Sequence, residues 1–252
     1  MFYRSILILY VVLSAAAWLF SSGHCAGNVL SEADLKQRIE QATSGFKDIS
    51  FLGTVTYKNK KAMTKIESNY ARLYDFQSAR VYYKEPDKLR IEGKLGMVKF
   101  EYICTGTLKI VRAPAIRFTN RKDYSDDPAK LQDALDIGLV TPSLWRHRRI
   151  EVVEDAEAAS NGEIKVRLRW PKGDVVHIIW LDAKDLWLKR FEKRTADGTL
   201  LFRVTYSNPR KVGDVIWMPT TIDVYAADGE KAGSTVYSDI KVNTGLADSL
   251  FE

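Results

Sequence analysis

From residue 48 onward, apolar and polar residues alternate with a period of two, the repeat of a strand that buries one face. Ile49, Phe51, Val55 and Tyr57 share one parity around Gly53, which predicts a strand over residues 48–57. The alternation recurs in Ala79-Val81-Tyr83, Leu89-Ile91 and Val98-Phe100-Tyr102-Cys104. It returns in Ile164-Val166-Leu168-Trp170, Val176-Ile178-Trp180, Leu200-Phe202-Val204-Tyr206, Ile222-Val224 and Val236-Ser238-Ile240-Val242. Between these runs stand Pro86-Asp87, Pro171-Lys172-Gly173-Asp174, Ala196-Asp197-Gly198, Val212-Gly213-Asp214 and Ala227-Asp228-Gly229, turn sequences of hairpin type. Such a pattern predicts a long antiparallel meander. No low-complexity linker or internal repeat divides it, so residues 27–252 are expected to form one domain.

Two stretches carry helical spacing instead. Ser31 and Asp34 form a capping-box pair ahead of Leu35, Ile39 and Ala42, and Gly45 stops the helix. Between Pro114 and Arg149 the strand alternation lapses: Asp126-Asp127-Pro128 reads as a helix start, followed by Leu131, Leu135 and Leu139 with Gly138 near the end. A long excursion inside a compact β domain is usually functional. Residues 114–149 are therefore expected to be a lid, with Leu131 and Leu135 as its apolar stripe.

Two short helices are too few to cover the apolar side of so many strands. Either the sheet closes into a barrel packed by its own side chains, or it curves around a cavity suited to an apolar ligand. The second alternative gives a mainly β fold with a few helices (α+β), an incomplete antiparallel barrel around a hydrophobic cavity under a helical lid. Strand parity nominates the cavity wall: Phe51, Val55, Val81, Tyr83, Leu89, Ile91, Phe100, Tyr102, Trp180, Phe202 and Val204. A β-bulge in any strand would shift that parity and turn the opposite set inward.

The N-terminus sets the compartment. No charged residue stands between Arg4 and Glu32, and Ile6 through Phe20 supplies the apolar run of a secretory signal, so residues 1–23 are expected to be removed. Cleavage as late as residue 26 is the alternative. An uncleaved anchor competes with this, although the run is short for a membrane span. So does a lipoprotein form anchored through a lipidated Cys25, although His24 fits poorly at the position before it. Each route exports the chain, and the periplasm is the expected location.

Charge and chemistry exclude several function classes. The net charge of +6 is mild and interspersed, and the Arg146-His147-Arg148-Arg149 cluster reads as a loop end, so no nucleic-acid partner is expected. Cys25 and Cys104 are the only thiols and offer no disulfide framework. Beyond the signal only His147 and His177 remain, the latter on the strand side opposite Val176 and Ile178. Metal, nucleophile-elbow and phosphate-loop motifs are absent, so neither a metal, a cofactor nor catalysis is expected.

A family resemblance rests on several short segments. Asp34-Leu35-Lys36-Gln37-Arg38-Ile39, Phe46, the strand from Phe51 to Tyr57, Tyr82-Tyr83-Lys84-Glu85-Pro86-Asp87-Lys88-Leu89-Arg90, Val242-Asn243 and Asp248-Ser249-Leu250-Phe251 resemble, in order, the periplasmic outer-membrane lipoprotein carrier family (LolA/LolB-like). The resemblance implies a half-barrel that binds the acyl chains of lipoproteins or other lipids. It also implies an inner-membrane transporter and an outer-membrane receptor as partners of a monomeric carrier. In several carriers an Arg before the strand-turn Pro switches the lid; that position is Glu85 here, with Lys84 before it. Arg90 matches a basic residue of the wider family, for which Asp133 or Asp136 of the lid are candidate partners, a surface ion pair being the alternative. A periplasmic lipid-sensing regulator shares the half-barrel, and an outer-membrane receptor anchored through Cys25 is a third reading.

Overall fold

A computed structural model describes residues 30–68, 71 and 74–252. The signal segment, its cleavage positions and Cys25 lie outside the described residues. The fold is one antiparallel sheet of thirteen strands: β1 (Asp48–Lys58), β2 (Ser78–Lys84), β3 (Lys88–Leu95), β4 (Val98–Thr105), β5 (Leu108–Ala113), β6 (Phe118–Asp123), β7 (Arg149–Val153), β8 (Glu163–Arg169), β9 (Val175–Asp182), β10 (Leu188–Thr195), β11 (Leu200–Val212), β12 (Ile216–Ala226) and β13 (Lys231–Val242). Their spatial order is β6-β5-β4-β3-β2-β1-β13-β12-β11-β10-β9-β8-β7. The chain thus starts mid-sheet, meanders to one edge at β6, crosses to the other edge at β7, and meanders back to pair β13 with β1. The sheet does not close, which makes it an incomplete barrel.

The hairpin turns fall where the sequence puts them. Gly173, Gly198, Gly213 and Gly229 all take the positive φ that tight turns demand and that glycine adopts without steric cost. Helix α1 (Glu32–Ala42) is capped as expected: Ser31 Oγ accepts from the Asp34 amide at 3.1 Å, and the Asp34 carboxylate takes the Ser31 amide at 3.2 Å. Leu35 and Ile39 are its buried face. A second helix, α2 (Lys60–Ile66), is not visible in the apolar spacing; Asn59 caps it by accepting from the Ala62 amide at 3.1 Å, and Ala62 and Met63 are buried.

Strand β6 lies inside the stretch read from sequence as a non-strand excursion. Every residue of it is exposed, so an edge strand of this kind carries no alternation to detect. The true crossing is narrower, residues 124–148, built of short 3-10 turns at Pro128–Lys130, Ala134–Ile137 and Pro142–Trp145 in place of one α-helix.

Where the ends of the meander meet, Asp48 ties β1 to the C-terminal segment. Its carboxylate is 2% exposed and accepts from the amides of Thr244 (2.8 Å), Gly245 (3.0 Å) and Leu246 (3.3 Å), and from the Thr244 hydroxyl at 3.2 Å. Beyond this clasp, the 3-10 turn Asp248–Phe251 packs Phe251 on Ile103 and Ile110, on the outer face of β4 and β5. Asp48→Ala strands several buried N–H donors and is expected to destabilise the fold by about 3 kcal/mol. Urea unfolding measures this; an unshifted midpoint would show that the clasp is dispensable.

Candidate functional site

Register across the sheet fixes which side chains share the inner face. Phe51 pairs with Val81, Val81 with Ile91 and Ile91 with Tyr102. In the adjoining rows, Tyr83 stands opposite Leu89 and Gly93 opposite Phe100. On the other half, Val55 faces Thr235, Thr235 faces Ile222, and Phe202 and Val204 lie on the same face through their pairs Ala226 and Val224. Ten of the eleven nominated wall residues therefore share one face. Trp180 is the exception: it packs with Ala158, Val176 and Ile178 on the outer face, where the Arg190 guanidinium stacks 3.6 Å from its ring centroid. In β9 the inward set is His177, Ile179 and Leu181, paired with Leu168, Val166 and Ile164. An outward apolar stripe is needed there because the one-turn helix Ala156–Ser160 packs on it.

The crossing segment occupies the inner face. Leu131, Ala134, Ile137 and Leu139 pack with Phe51, Val81, Tyr83, Leu89 and Met218, while Leu135, Val140 and Leu144 pack with the β7–β12 half and α1. Leu131 and Leu135 are 9% and 5% exposed, so the expected apolar stripe is buried as a plug. Gly138 lets the plug approach closely: a Cβ there would lie 3.2 Å from both Pro219 and Tyr206, and its φ of +81° disfavours other residues. A crevice beside the plug, between Ile39, Thr43, Val140, Asp185, Leu186 and Ile216, is only about 10 Å³, room for a single water at most. The larger groove, about 570 Å³, is lined by Arg80, Glu92, Lys94 and Lys99, and its charged lining does not suit an apolar ligand.

A few polar ties hold the plug. Arg146 pairs with Asp87 in the β2–β3 turn, and Arg148 Nη2 reaches Asp133 Oδ2 at 2.6 Å, joining the plug's C-terminal end to its middle. The Asp133 carboxylate also accepts from the Leu135 amide at 2.9 Å, and Asp136 accepts from the Asp133 amide at 2.9 Å. Lys109 Nζ donates to the Lys130 carbonyl at 3.1 Å, and Trp145 Nε1 to Glu32 at 3.2 Å. Of the three residues proposed as a lid switch, Glu85 is at the plug. Its carboxyl is shifted upward by burial, an effect opposed by hydrogen bonds from the hydroxyls of Thr141 and Tyr83. Lys84 and Arg90 are elsewhere: Lys84 donates to the Leu246 carbonyl at 2.8 Å, and Arg90 donates to the Leu250 carbonyl at 2.8 Å and pairs with Glu92 and Glu101 on the outer face. Arg90 therefore does not meet Asp133 or Asp136, because strand parity points it away from the plug.

Sequence reasoning missed polar groups on the inner face, among them Arg148 and His177. Arg148 lies against Trp170, guanidinium carbon 4.4 Å from the ring centroid, and is 8% exposed. His177 faces inward beside Phe191, ring centroids 4.9 Å apart. Burial pushes its pKa down to about 3, aided by the positive charges of Arg148 and Lys193. The parity of β9 carried a signal for His177, since it must face opposite Ile178; no local signal marks Arg148. Among the described residues no group of three or more His, Cys, Asp or Glu side chains is placed to hold a metal ion, and no helix is long and apolar enough to cross a membrane.

No family model matches the chain, and no curated protein matches it in sequence. Its fold is found among solved structures. A domain from Vibrio parahaemolyticus assigned to outer-membrane lipoprotein sorting superposes with a TM-score of 0.63 at 15% identity, over 87% of this chain and 95% of that one. A LolA superfamily protein from Nitrosomonas europaea gives 0.58 at 13% identity, over 88% and 97%, and a DUF1329 family protein from Desulfovibrio piger gives 0.58 at 15%, over 87% and 95%. The chain thus has the LolA-like open half-barrel fold at the scale of the whole domain.

The depressed pKa of His177 has a consequence for stability. The unfolded imidazole takes up a proton near its ordinary value of 6.5 while the folded one resists until about 3, so stability falls as pH falls through that window. His177→Gln removes this proton linkage. The variant is expected to gain on the parent chain by about 1 kcal/mol per pH unit on going from pH 6 to pH 4. Denaturant unfolding at the two pH values checks it, and a pH-independent difference would place the imidazole in water.

Proposed function

We propose that this protein is a periplasmic carrier that takes acyl chains of lipoproteins, or other lipids, into its half-barrel and moves them between the inner and outer membranes. The observation that carries this reading is the plug. A contiguous apolar wall is covered by a segment made of short 3-10 turns, joined to the sheet edges at both ends and held by a handful of polar contacts. Such a segment is exchangeable: acyl chains that replace Leu131, Leu135 and their neighbours recover the same apolar burial, worth about 0.8 kcal/mol per methylene. The plug then lies over the cargo as a lid. The need is physical, since unshielded acyl chains do not leave a bilayer for water at a useful rate.

The fold itself is that of binding and carrier proteins, and the site offers greasy contact without a reactive constellation. An inner-membrane donor and an outer-membrane acceptor are the partners such a shuttle requires. A lipid-sensing regulator would use the same wall; the edge-to-edge plug, suited to repeated opening, favours the carrier.

The test is native mass spectrometry with lipid extraction on the protein purified from its host without detergent. A stoichiometric acylated peptide or lipid is expected, and a bare mass together with failure to take up an apolar fluorescent probe would overturn the reading. Leu131→Asp with Leu135→Asp puts two carboxylates against the wall and is expected to cut lipid retention to about a tenth or less. Retention at the parent level, in a variant whose unfolding transition stays cooperative, would remove the lid from the mechanism.

A further inference from the structure

Most of the inner face of β7–β12 is apolar, but one end of it is basic. A continuous cross-strand row runs Ile150, Leu168, His177, Lys193, Phe202 and Ala226, each directly opposite the next. Arg148 lies at the β7 margin of this row, stacked on Trp170. The buried Arg148 Nε and the buried His177 Nδ1 have no hydrogen-bond partner. Such orphaned groups are rare and costly inside a protein, at about 1–3 kcal/mol each. Lys193 rests 6.0 Å from the Phe202 ring centroid, and among the described residues no carboxylate lies within ion-pair distance of it. The charged groups that act on His177 are Arg148 and Lys193, both positive. Among the described residues, the carboxylate in ion-pair contact with Arg148 is Asp133, which belongs to the plug.

We propose that Arg148, His177 and Lys193 form a receptor for the anionic phosphate head of a lipid whose acyl chains lie along the apolar wall, and that this head displaces Asp133 from Arg148. The inference rests on the carrier reading and gives it a cargo class. A phosphate supplies charged acceptors for the orphaned guanidinium N–H and for Lys193, which a sugar or hydroxyl head group does not. The neutral imidazole, in the tautomer with the proton on Nδ1, donates a third hydrogen bond. Displacing Asp133 also loosens the plug, because that carboxylate caps the turn Ala134–Ile137. Capture of the head group and opening of the wall are then one event. A free phosphate ester has the same head chemistry without the tails.

The experiment incubates the whole protein with vesicles of phosphatidylglycerol or of phosphate-free digalactosyldiacylglycerol, with identical acyl chains, and quantifies retained lipid by native mass spectrometry. Phosphatidylglycerol is expected to be retained about tenfold over the galactolipid, the factor given by one charge-assisted hydrogen bond. Lys193→Gln, at a half-buried position where folding is tolerant, is expected to cut that ratio several-fold, and Asp133→Asn to raise phosphatidylglycerol retention. Equal retention of the two lipids, or a ratio that Lys193→Gln and His177→Gln leave unmoved, overturns the receptor while leaving the carrier intact. If neither lipid is retained, titration with glycerol phosphate separates the remaining cases: binding that Lys193→Gln weakens keeps an anion site and overturns the lipid as its ligand, and no binding overturns both.

Discussion

An apolar wall that water must not reach governs this structure. A sheet of thirteen strands, curved and left open, gathers Phe51, Val81, Tyr83, Leu89, Val204 and their neighbours on one face, and α1 and α2 cover only part of it. Each large apolar side chain left in water would cost about 1.5–3 kcal/mol. The chain meets the constraint by routing residues 124–148 across the face from edge to edge. The same stretch that joins the two halves of the meander therefore fills the barrel, and topology and solvation are satisfied together.

Stability and exchangeability are divided between the two faces. The outer face carries ion networks that pin the strands: Glu192, 2% exposed, accepts from Arg194 at 2.6 Å and Arg203 at 2.9 Å, and Arg90 holds Glu92, Glu101 and the C-terminal Leu250 carbonyl. Contacts on the inner face are mostly apolar and non-directional, and the polar ties to the plug are few. The exceptions, Arg148, His177 and Lys193, sit together at one end. The proposed carrier function needs this arrangement, a frame that stays folded while its contents change.

What the sequence determined by itself was whatever depends on local periodicity. A period of two, hairpin turns with glycine at positive φ, and the Ser31–Asp34 capping box made the antiparallel meander and α1 legible, because each is fixed within a few residues. Strand parity also placed ten of the eleven wall residues on one face, since alternation along a strand is enforced by the backbone. It failed where both faces of a strand are apolar: in β9, Trp180 and Ile179 point opposite ways, and a small outer cluster around Ala158 is as greasy as the core. It failed again in β6, where neither face is buried.

Tertiary structure alone decided the rest. That the crossing segment is a plug of 3-10 turns, that it lies in the barrel, and that Arg148 rather than Arg90 meets Asp133 all depend on contacts across the sheet. The row of Leu168, His177, Lys193 and Phe202 joins residues from four strands, and only register brings them side by side. The physical reason is one of range. Backbone sterics and turn chemistry act within a few residues, whereas the desolvation of a plug and the isolation of a buried positive charge are set by whichever distant segments the fold lays against them.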